Sequence, residues 1–119
     1  MKALIKGYRY ELGNFETPSS QGQVVQFIHK ENKLKDISEV SMEQVLCPGS
    51  DNFKLVTISN GTTNEEVLEM LIDRINFLNT KNPCRENSIV ITNLETALLW
   101  LEKRTKDRIQ RGVESKNEK

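Results

Sequence analysis

The chain has 119 residues, a length that corresponds to one domain or to a small domain with an appended module. Lysine plus arginine and aspartate plus glutamate each total 17, so no overall field draws the chain toward duplex nucleic acid or an anionic membrane. The chain opens without a signal-peptide pattern and holds no apolar run of roughly 18 residues, so we expect a cytoplasmic location.

The first residues favour β-structure. Residues 2–12 alternate large apolar and polar side chains after Gly7, which predicts one strand with a bulge at that glycine. Residues 13–22 are rich in Gly, Ser, Pro, Asn and Thr and predict a loop. The β-branched run at residues 23–29 predicts a second strand.

The segment that follows is harder to interpret. Residues 30–50 show no clear periodicity, apart from a short helical turn predicted at residues 41–46 and ended by Pro48. Residues 53–59 alternate again and predict a third strand. We therefore expect residues 1–61 to form a small antiparallel β-rich N-terminal lobe.

The second half changes to a helical pattern. Thr62 and Thr63 offer N-cap hydroxyls, and Glu65 and Glu66 place negative charge in the first turn, where it complements the helix dipole. Apolar residues then recur at spacings of three and four through Asn79, namely Val67, Leu68, Leu71, Ile72, Ile75 and Leu78. The spacing predicts a helix that ends before Pro83.

A second helical pattern runs from about Arg85 to Arg111. Its apolar stripe is broad and contains Ile89, Val90, Ile91, Leu94, Ala97, Leu98, Trp100 and Leu101. A short connection predicts that the two helices pack antiparallel. The fold class is thus α+β, with residues 62–111 forming a hairpin that mediates oligomerisation through its excess apolar surface and residues 112–119 forming a polar tail.

The end of the second helix carries the best-defined charged feature. Residues 103–111 hold five positive charges against one negative charge. Arg104, Arg108 and Arg111 lie at i, i+4 and i+7, hence on one helical face, and guanidinium groups at this spacing suit phosphate oxygens. A solvated helix end that compensates the dipole is the alternative interpretation.

Asparagines are frequent around the predicted turn, at Asn76, Asn79, Asn82, Asn87 and Asn93. Amides can bind the edge of a base, and Phe77 in the same region can stack on one. The alternative is that these asparagines cap helices and form turns and that Phe77 belongs to the core.

Nothing in the sequence supports catalysis. The chain has no Gly-rich phosphate loop, and its one histidine, His29, lies in a predicted strand, where a structural role is expected. Cys47 and Cys84 are expected to be free, packed thiols, and one histidine with two cysteines makes no zinc site. We expect no cofactor and no metal.

The second half contains a recognisable pattern in the segments Thr62–Asn79, Cys84–Ser88, Thr92–Leu101 and Arg104, most clearly Arg-x-x-Ser followed by Thr-x-Leu-Glu-x-Ala-x-x-Trp-Leu. These segments resemble a hairpin shared by two families of phage immune-evasion proteins, the Thoeris anti-defence sponges and the anti-CBASS sponges. The β-rich lobe and the arginine-bearing end of the second helix are more similar to the Thoeris branch. The resemblance implies a non-enzymatic homo-oligomer, dimeric or hexameric, that sequesters cyclic ADP-ribose isomers, chiefly the glycosidically linked gcADPR forms, and in some members cyclic di- or trinucleotides.

The resemblance also implies binding residues. Phe77 and Asn87 are candidates for stacking on and reading adenine, and Arg104, Arg108 and Arg111 are candidates for the pyrophosphate. A second pocket for cyclic oligonucleotides is expected to use Arg85, Ser88 and Thr92. Lid contacts are expected from Tyr8, Arg9 or residues 51–53.

Two other functions remain open at this stage. One is an enzyme that hydrolyses cyclic nucleotide signals. The other is a helical interaction protein that binds a phosphate backbone with its arginine-rich face, for which binding should weaken steeply with salt.

Overall fold

The structure is a computed structural model that describes residues 1–34 and 53–112. These residues form two compact units, one containing residues 1–34 and 53–61 and the other containing Thr62–Gly112. The architecture is α+β, with small antiparallel sheets in the first unit and a helical hairpin in the second, which confirms the predicted class. The predicted helical turn at residues 41–46, Cys47 and the tail beyond Gly112 lie outside the described residues.

The first sheet is antiparallel, with strand order β1 (Lys2–Ile5), β2 (Arg9–Glu11) and β3 (Val24–Gln26). The prediction of a single bulged strand over residues 2–12 is wrong, because the chain reverses between β1 and β2. Gly7 adopts a φ of 85°, and the Tyr8 amide donates to the Ile5 carbonyl at 3.0 Å. A glycine permits this left-handed backbone without a steric penalty, so Gly7 forms a turn where the sequence predicts a bulge.

The second sheet pairs β4 (His29–Leu34) with β5 (Phe53–Ser59), also antiparallel. Strand β5 confirms the prediction over residues 53–59. The predicted strand over residues 23–29 is wrong at its end, because β3 stops at Gln26 and His29 begins the next strand. Strand β4 is polar throughout most of its length, so it lacks the apolar alternation by which a half-buried strand is recognised.

Aromatic pairs hold the first unit together. Tyr10 meets Phe27 edge to face, with ring centroids 5.9 Å apart, and Tyr8 stacks on His29 with centroids 3.7 Å apart. The Nε2 atom of His29 lies 3.0 Å from Oε1 of Glu31. His29, the first residue of β4, therefore packs on Tyr8 from the turn after β1 and contacts Glu31 of its own strand, in the structural role that the sequence predicts.

The two helices are α1 (Asn64–Lys81) and α2 (Arg85–Gln110). Helix α1 continues two residues past the predicted end at Asn79, and α2 agrees with its prediction to within one residue. Thr63 is the N-cap of α1, and its Oγ1 accepts from the Glu66 amide at 3.3 Å, as predicted. Within the described part of the chain, no helix is long and apolar enough to cross a membrane.

The cap of α2 corrects one expectation about the cysteines. Cys84 is a free and exposed thiol, where the sequence predicts a packed one. Its Sγ accepts from the Asn87 amide at 3.4 Å, and its own amide donates to Oδ1 of Asn79 at 3.0 Å. The thiol thus satisfies one of the open amides of the first helical turn, which explains its exposed position.

The hairpin buries little. Among the described residues only Ile91 and Arg108 are buried, at 9% and 6% exposure. Large apolar side chains of both helices remain at least half exposed, namely Met70, Phe77, Leu99, Trp100 and Ile109. Exposed apolar surface of this extent is typical of a chain that covers it with a partner or a ligand.

A glycine pair tests the loop that joins β2 to β3. A Cβ atom on Gly22 would overlap the carbonyl of Leu12, whereas one on Gly13 meets open space. We expect Gly22→Ala to lower the local free energy of unfolding of the β2–β3 pair by about 2 kcal/mol, and Gly13→Ala to change it by less than about 0.5 kcal/mol. Hydrogen exchange of the β2 and β3 amides measures both, and equal protection in the two variants would contradict this packing.

Candidate functional site

An open pocket of about 460 Å³ lies over the C-terminal part of α2. Its lining residues are Trp100, Lys103, Arg104, Asp107, Gln110 and Arg111. They recur at spacings of three and four, so they occupy one face of the helix over about three turns. This periodicity lets a single helix supply an aromatic ring, three cations, a carboxylate and an amide to one surface.

The pocket is cationic. Lys103 Nζ lies 2.9 Å from Asp107 Oδ2, an exposed i,i+4 ion pair of the kind that contributes roughly 0.3–0.5 kcal/mol. Arg104 is exposed and forms no ion pair with the described residues, while Arg111 has an interaction partner of its own. The Arg104 guanidinium therefore keeps its donors available for an anionic ligand.

Arg108 differs from the other two predicted phosphate-binding arginines. Its side chain is buried, it does not line the pocket, and it has an interaction partner. At 100° per residue it lies about 40° around the helix from Arg104, at the edge of the pocket face. The structure thus brings Arg104 and Arg111 to one pocket and holds Arg108 beside it in a buried environment.

Phe77 and Asn87 lie at the opposite end of the hairpin, near its turn. Phe77 is 52% exposed, and Lys81 Nζ is 4.6 Å from the centre of its ring. Asn87 is in the first turn of α2, and its side-chain amide makes no hydrogen bond with the described residues. Because Asn87 and Arg104 are 17 positions apart on one helix, their Cα atoms are about 25 Å apart. The predicted adenine and pyrophosphate residues therefore do not meet within one chain.

Arg85, Ser88 and Thr92 share one face at the start of α2, as a second pocket requires. The Ser88 hydroxyl donates to the Cys84 carbonyl at 3.4 Å, and the Thr92 hydroxyl donates to the Ser88 carbonyl at 3.1 Å. Both hydroxyls use their protons within the helix and present acceptor lone pairs outward. A phosphate needs donors, so at this face Arg85 is the group suited to bind it.

The remaining predicted residues have mainly structural contacts. The Asn76 side-chain amide donates to the Ile72 carbonyl of its own helix, and Oδ1 of Asn79 accepts from the amide of Cys84, the N-cap of α2. Tyr8 is stacked on His29, while Arg9 is exposed on β2. Asp51 and Asn52 lie outside the described residues, as does the side chain of Phe53.

Trp100, Asp107 and Gln110 are pocket residues that sequence reasoning did not identify. Trp100 was expected in the apolar stripe of α2, yet it is 66% exposed. The signal was present in the spacing, because Trp100, Arg104, Asp107 and Arg111 are separated by four, three and four positions. An aromatic residue in register with arginines on one helical face indicates a ligand surface as well as a core stripe.

The fold and the pocket define a class of protein, small and α+β, whose C-terminal helical hairpin presents a cationic pocket at its open end. Residues 48–106 match the family of the Acb2/Tad1 hairpin domain, a range that spans β5, α1 and most of α2. The hairpin of this chain therefore belongs to the Acb2/Tad1 hairpin-domain family. The matched range ends before Arg108 and Arg111.

A named protein is also similar in sequence to this chain. The chain is 48% identical over 73 residues to a protein named Thoeris anti-defense 1 from Bacillus phage SBSphiJ7. The aligned part covers 57% of this chain and 51% of the relative, so the chain spans about half the length of the curated relative that it matches.

A pair of arginine variants tests the different environments of Arg108 and Arg104. Because Arg108 is buried and has a partner, Arg108→Ala should lower the free energy of unfolding by about 2–4 kcal/mol, through lost stem packing and an unpaired partner. Arg104→Ala, at an exposed position, should change it by less than about 0.5 kcal/mol. Urea unfolding followed by circular dichroism measures both, and an equal loss in the two variants would contradict the assigned burial.

Proposed function

We propose that this protein is a phage anti-defence protein that binds cyclic ADP-ribose signals of the bacterial Thoeris system, chiefly gcADPR isomers, and holds them without cleavage in the infected cell's cytoplasm. The observation that carries the proposal is the pocket on α2, in which exposed Arg104 and Arg111 line the same surface as an exposed tryptophan. Guanidinium forks match the pyrophosphate of such a ligand, and aromatic rings match its base. The similarity to the Acb2/Tad1 hairpin domain and to a protein named Thoeris anti-defense 1 supports the anti-defence role.

The binding site is proposed to be shared between copies of the chain. A cyclic ADP-ribose is far smaller than the separation of about 25 Å that the helical rise sets between Asn87 and Arg104. If both ends of the hairpin contact one ligand, the turn end with Phe77 and Asn87 must come from one copy and the arginine end from another. An antiparallel pair of hairpins places unlike ends together at two equivalent sites.

The exposed apolar surface supports the same arrangement. Leu99, Trp100 and Ile109 are each at least 60% exposed on α2, and few described residues are buried. Burial of apolar area stabilises by roughly 25 cal/mol per Å², so covering such side chains favours assembly of several copies. We propose a homo-oligomer, a dimer or a hexamer, in which assembly and completion of the site are one event.

Holding a signal differs from destroying it. Charge-assisted hydrogen bonds to two phosphates, stacking on a base and enclosure between subunits can together reach nanomolar affinity, about 12 kcal/mol. Such a complex removes the signal as long as release is slow and protein is in excess. It requires no nucleophile and no metal.

The first test is retention of an unchanged ligand. The full chain is mixed with 1''–3' gcADPR, free ligand is removed, the protein is heat-denatured, and the released compound is identified by mass spectrometry. We expect intact ligand at near-stoichiometric yield. A hydrolysed product would replace the proposal with an enzyme, and no retained compound would refute binding of this ligand.

Subunit mixing tests the shared site. Phe77→Ala removes the proposed stacking ring and Arg104→Ala removes a proposed phosphate group, so each variant alone should retain little ligand. When the two are mixed after subunit exchange, roughly a quarter of the sites combine both intact halves, and retention should return to that fraction of wild type. No recovery with confirmed exchange would mean that both residues act in the same chain or that one of them does not bind.

A second pocket at Arg85, Ser88 and Thr92 is proposed for cyclic di- or trinucleotides. The exposed arginine and the shared helical face support it, while the hydroxyls must turn away from their helix carbonyls to donate. Arg85→Ala should therefore weaken binding of a cyclic trinucleotide in calorimetry without weakening binding of gcADPR. A parallel loss of both ligands would contradict two separate pockets.

A second candidate function of the basic end of α2 is binding to the phosphate backbone of a nucleic acid. Residues 103–111 carry five positive charges against one, and Arg104 is exposed. That function predicts affinity for single-stranded or duplex nucleic acid that falls steeply between 50 and 200 mM salt, by roughly a thousandfold or more for six contacts. Nucleic-acid affinity that is undetectable at 50 mM salt would exclude this function.

A further inference from the structure

We infer that the pocket on α2 selects ribose-bearing nucleotides over other phosphates, with Asp107 accepting hydrogen bonds from ribose hydroxyls and Trp100 packing against the nucleoside end. This inference rests on the proposed function, since it describes how the same pocket recognises its ligand. The sequence pattern places Trp100 in an apolar stripe and gives Asp107 no ligand-binding role.

The groups that line the pocket follow one another in a set order along the helix. Trp100 lies at one end of the pocket, Lys103 and Arg104 follow one turn later, and Asp107 and Gln110 occupy the next turns. From Trp100 to Gln110 the helix rises about 15 Å. An aromatic ring, two cations and two hydrogen-bonding groups thus follow one another, and Arg111 lies one residue past Gln110, so Asp107 is between the two arginines proposed for the pyrophosphate. A base, a pyrophosphate and a ribose follow one another in the same order in an ADP-ribose.

Asp107 places a carboxylate in this otherwise cationic pocket. A negative charge inside a cationic pocket repels a phosphate, so it opposes simple anion binding. Lys103 contacts Oδ2 at 2.9 Å, and Oδ1 makes no hydrogen bond with the described residues. A carboxylate oxygen in this position is an acceptor only, and a pair of ribose hydroxyls supplies the donors that it needs.

Trp100 supplies the aromatic surface of the pocket. It is 66% exposed, and it is the one tryptophan of the chain. An indole offers a large, rigid face for a nucleobase or for the apolar face of a ribose, and stacking on one base contributes about 1–3 kcal/mol. A purine has two faces, so packing of Trp100 on one leaves the other available to Phe77 from another copy.

The sign of an electrostatic effect separates this inference from its alternative. If Asp107 only pairs with Lys103, then Asp107→Asn releases that cation and removes a repulsive charge, so every phosphate ligand should bind more tightly. If Asp107 accepts from ribose, the same variant should bind 1''–3' gcADPR about tenfold more weakly while binding inorganic pyrophosphate at least as well as wild type. Glu102→Gln, an exposed acid on the opposite face of α2, is the matched control.

The experiment is calorimetric titration of the full chain and both acid variants with gcADPR and with pyrophosphate, together with the fluorescence of Trp100. We expect opposite changes for the two probes in Asp107→Asn, no change in Glu102→Gln, and an altered tryptophan emission on addition of gcADPR in wild type. Trp100→Phe should retain most of the gcADPR affinity, and Trp100→Ala should lose about tenfold or more, with pyrophosphate binding unchanged in both.

Each other outcome has a separate meaning. If wild type binds gcADPR but Asp107→Asn binds it equally or more tightly, or if the emission is unchanged, the inference is overturned and the proposed function stands. If wild type does not bind gcADPR in the same titration, the proposed function fails and the inference falls with it.

Discussion

The rigidity of α2 is the constraint on which the geometry of the proposed binding site depends. A continuous helix of 26 residues extends about 39 Å and holds every side chain at a set height and angle. It gathers Trp100, Arg104, Asp107 and Arg111 on one face because their spacings match the helical repeat. It also keeps Asn87 away from that pocket, so a ligand that needs both ends of the hairpin needs two chains.

The thin core is consistent with this constraint. A two-helix hairpin can bury only one stripe of each helix, and here Ile91 is the one buried apolar residue among those described. The apolar groups left exposed near both ends of the hairpin flank the predicted binding residues, as Phe77 and Trp100 illustrate. The proposed assembly and the proposed ligand enclosure draw on the same surface, so we expect each to strengthen the other.

Much of the fold could be predicted from the sequence, because its elements have strong local signals. The apolar periodicity of α1 and α2 and the N-cap at Thr63 are encoded within short windows, and β5 alternates. Strand β4 could not be predicted, because its polar sequence is stabilised by pairing with β5 at a distance along the chain. Gly7 forms a turn where the alternating pattern favours a bulge, because a glycine with positive φ serves in both.

The candidate site was only partly predictable for a similar reason. Sequence spacing puts Arg104 and Arg111 on one helical face, where both line the pocket, but the burial of Arg108 depends on contacts that periodicity does not encode. The sequence pattern places Trp100 in an apolar stripe, because a helical period does not distinguish an aromatic ring that packs inside from one that lines a pocket. The exposed fraction of the side chain, which is known only from the structure, distinguishes a ring in the core from a ring in a pocket.

Native mass spectrometry of the protein with 1''–3' gcADPR tests the central claim most directly, because it reports subunit number and ligand mass in one species. We expect intact ligand on dimers or larger assemblies and not on the monomer. Intact ligand bound to a monomer would contradict the shared site, and the mass of a hydrolysed product would contradict sequestration.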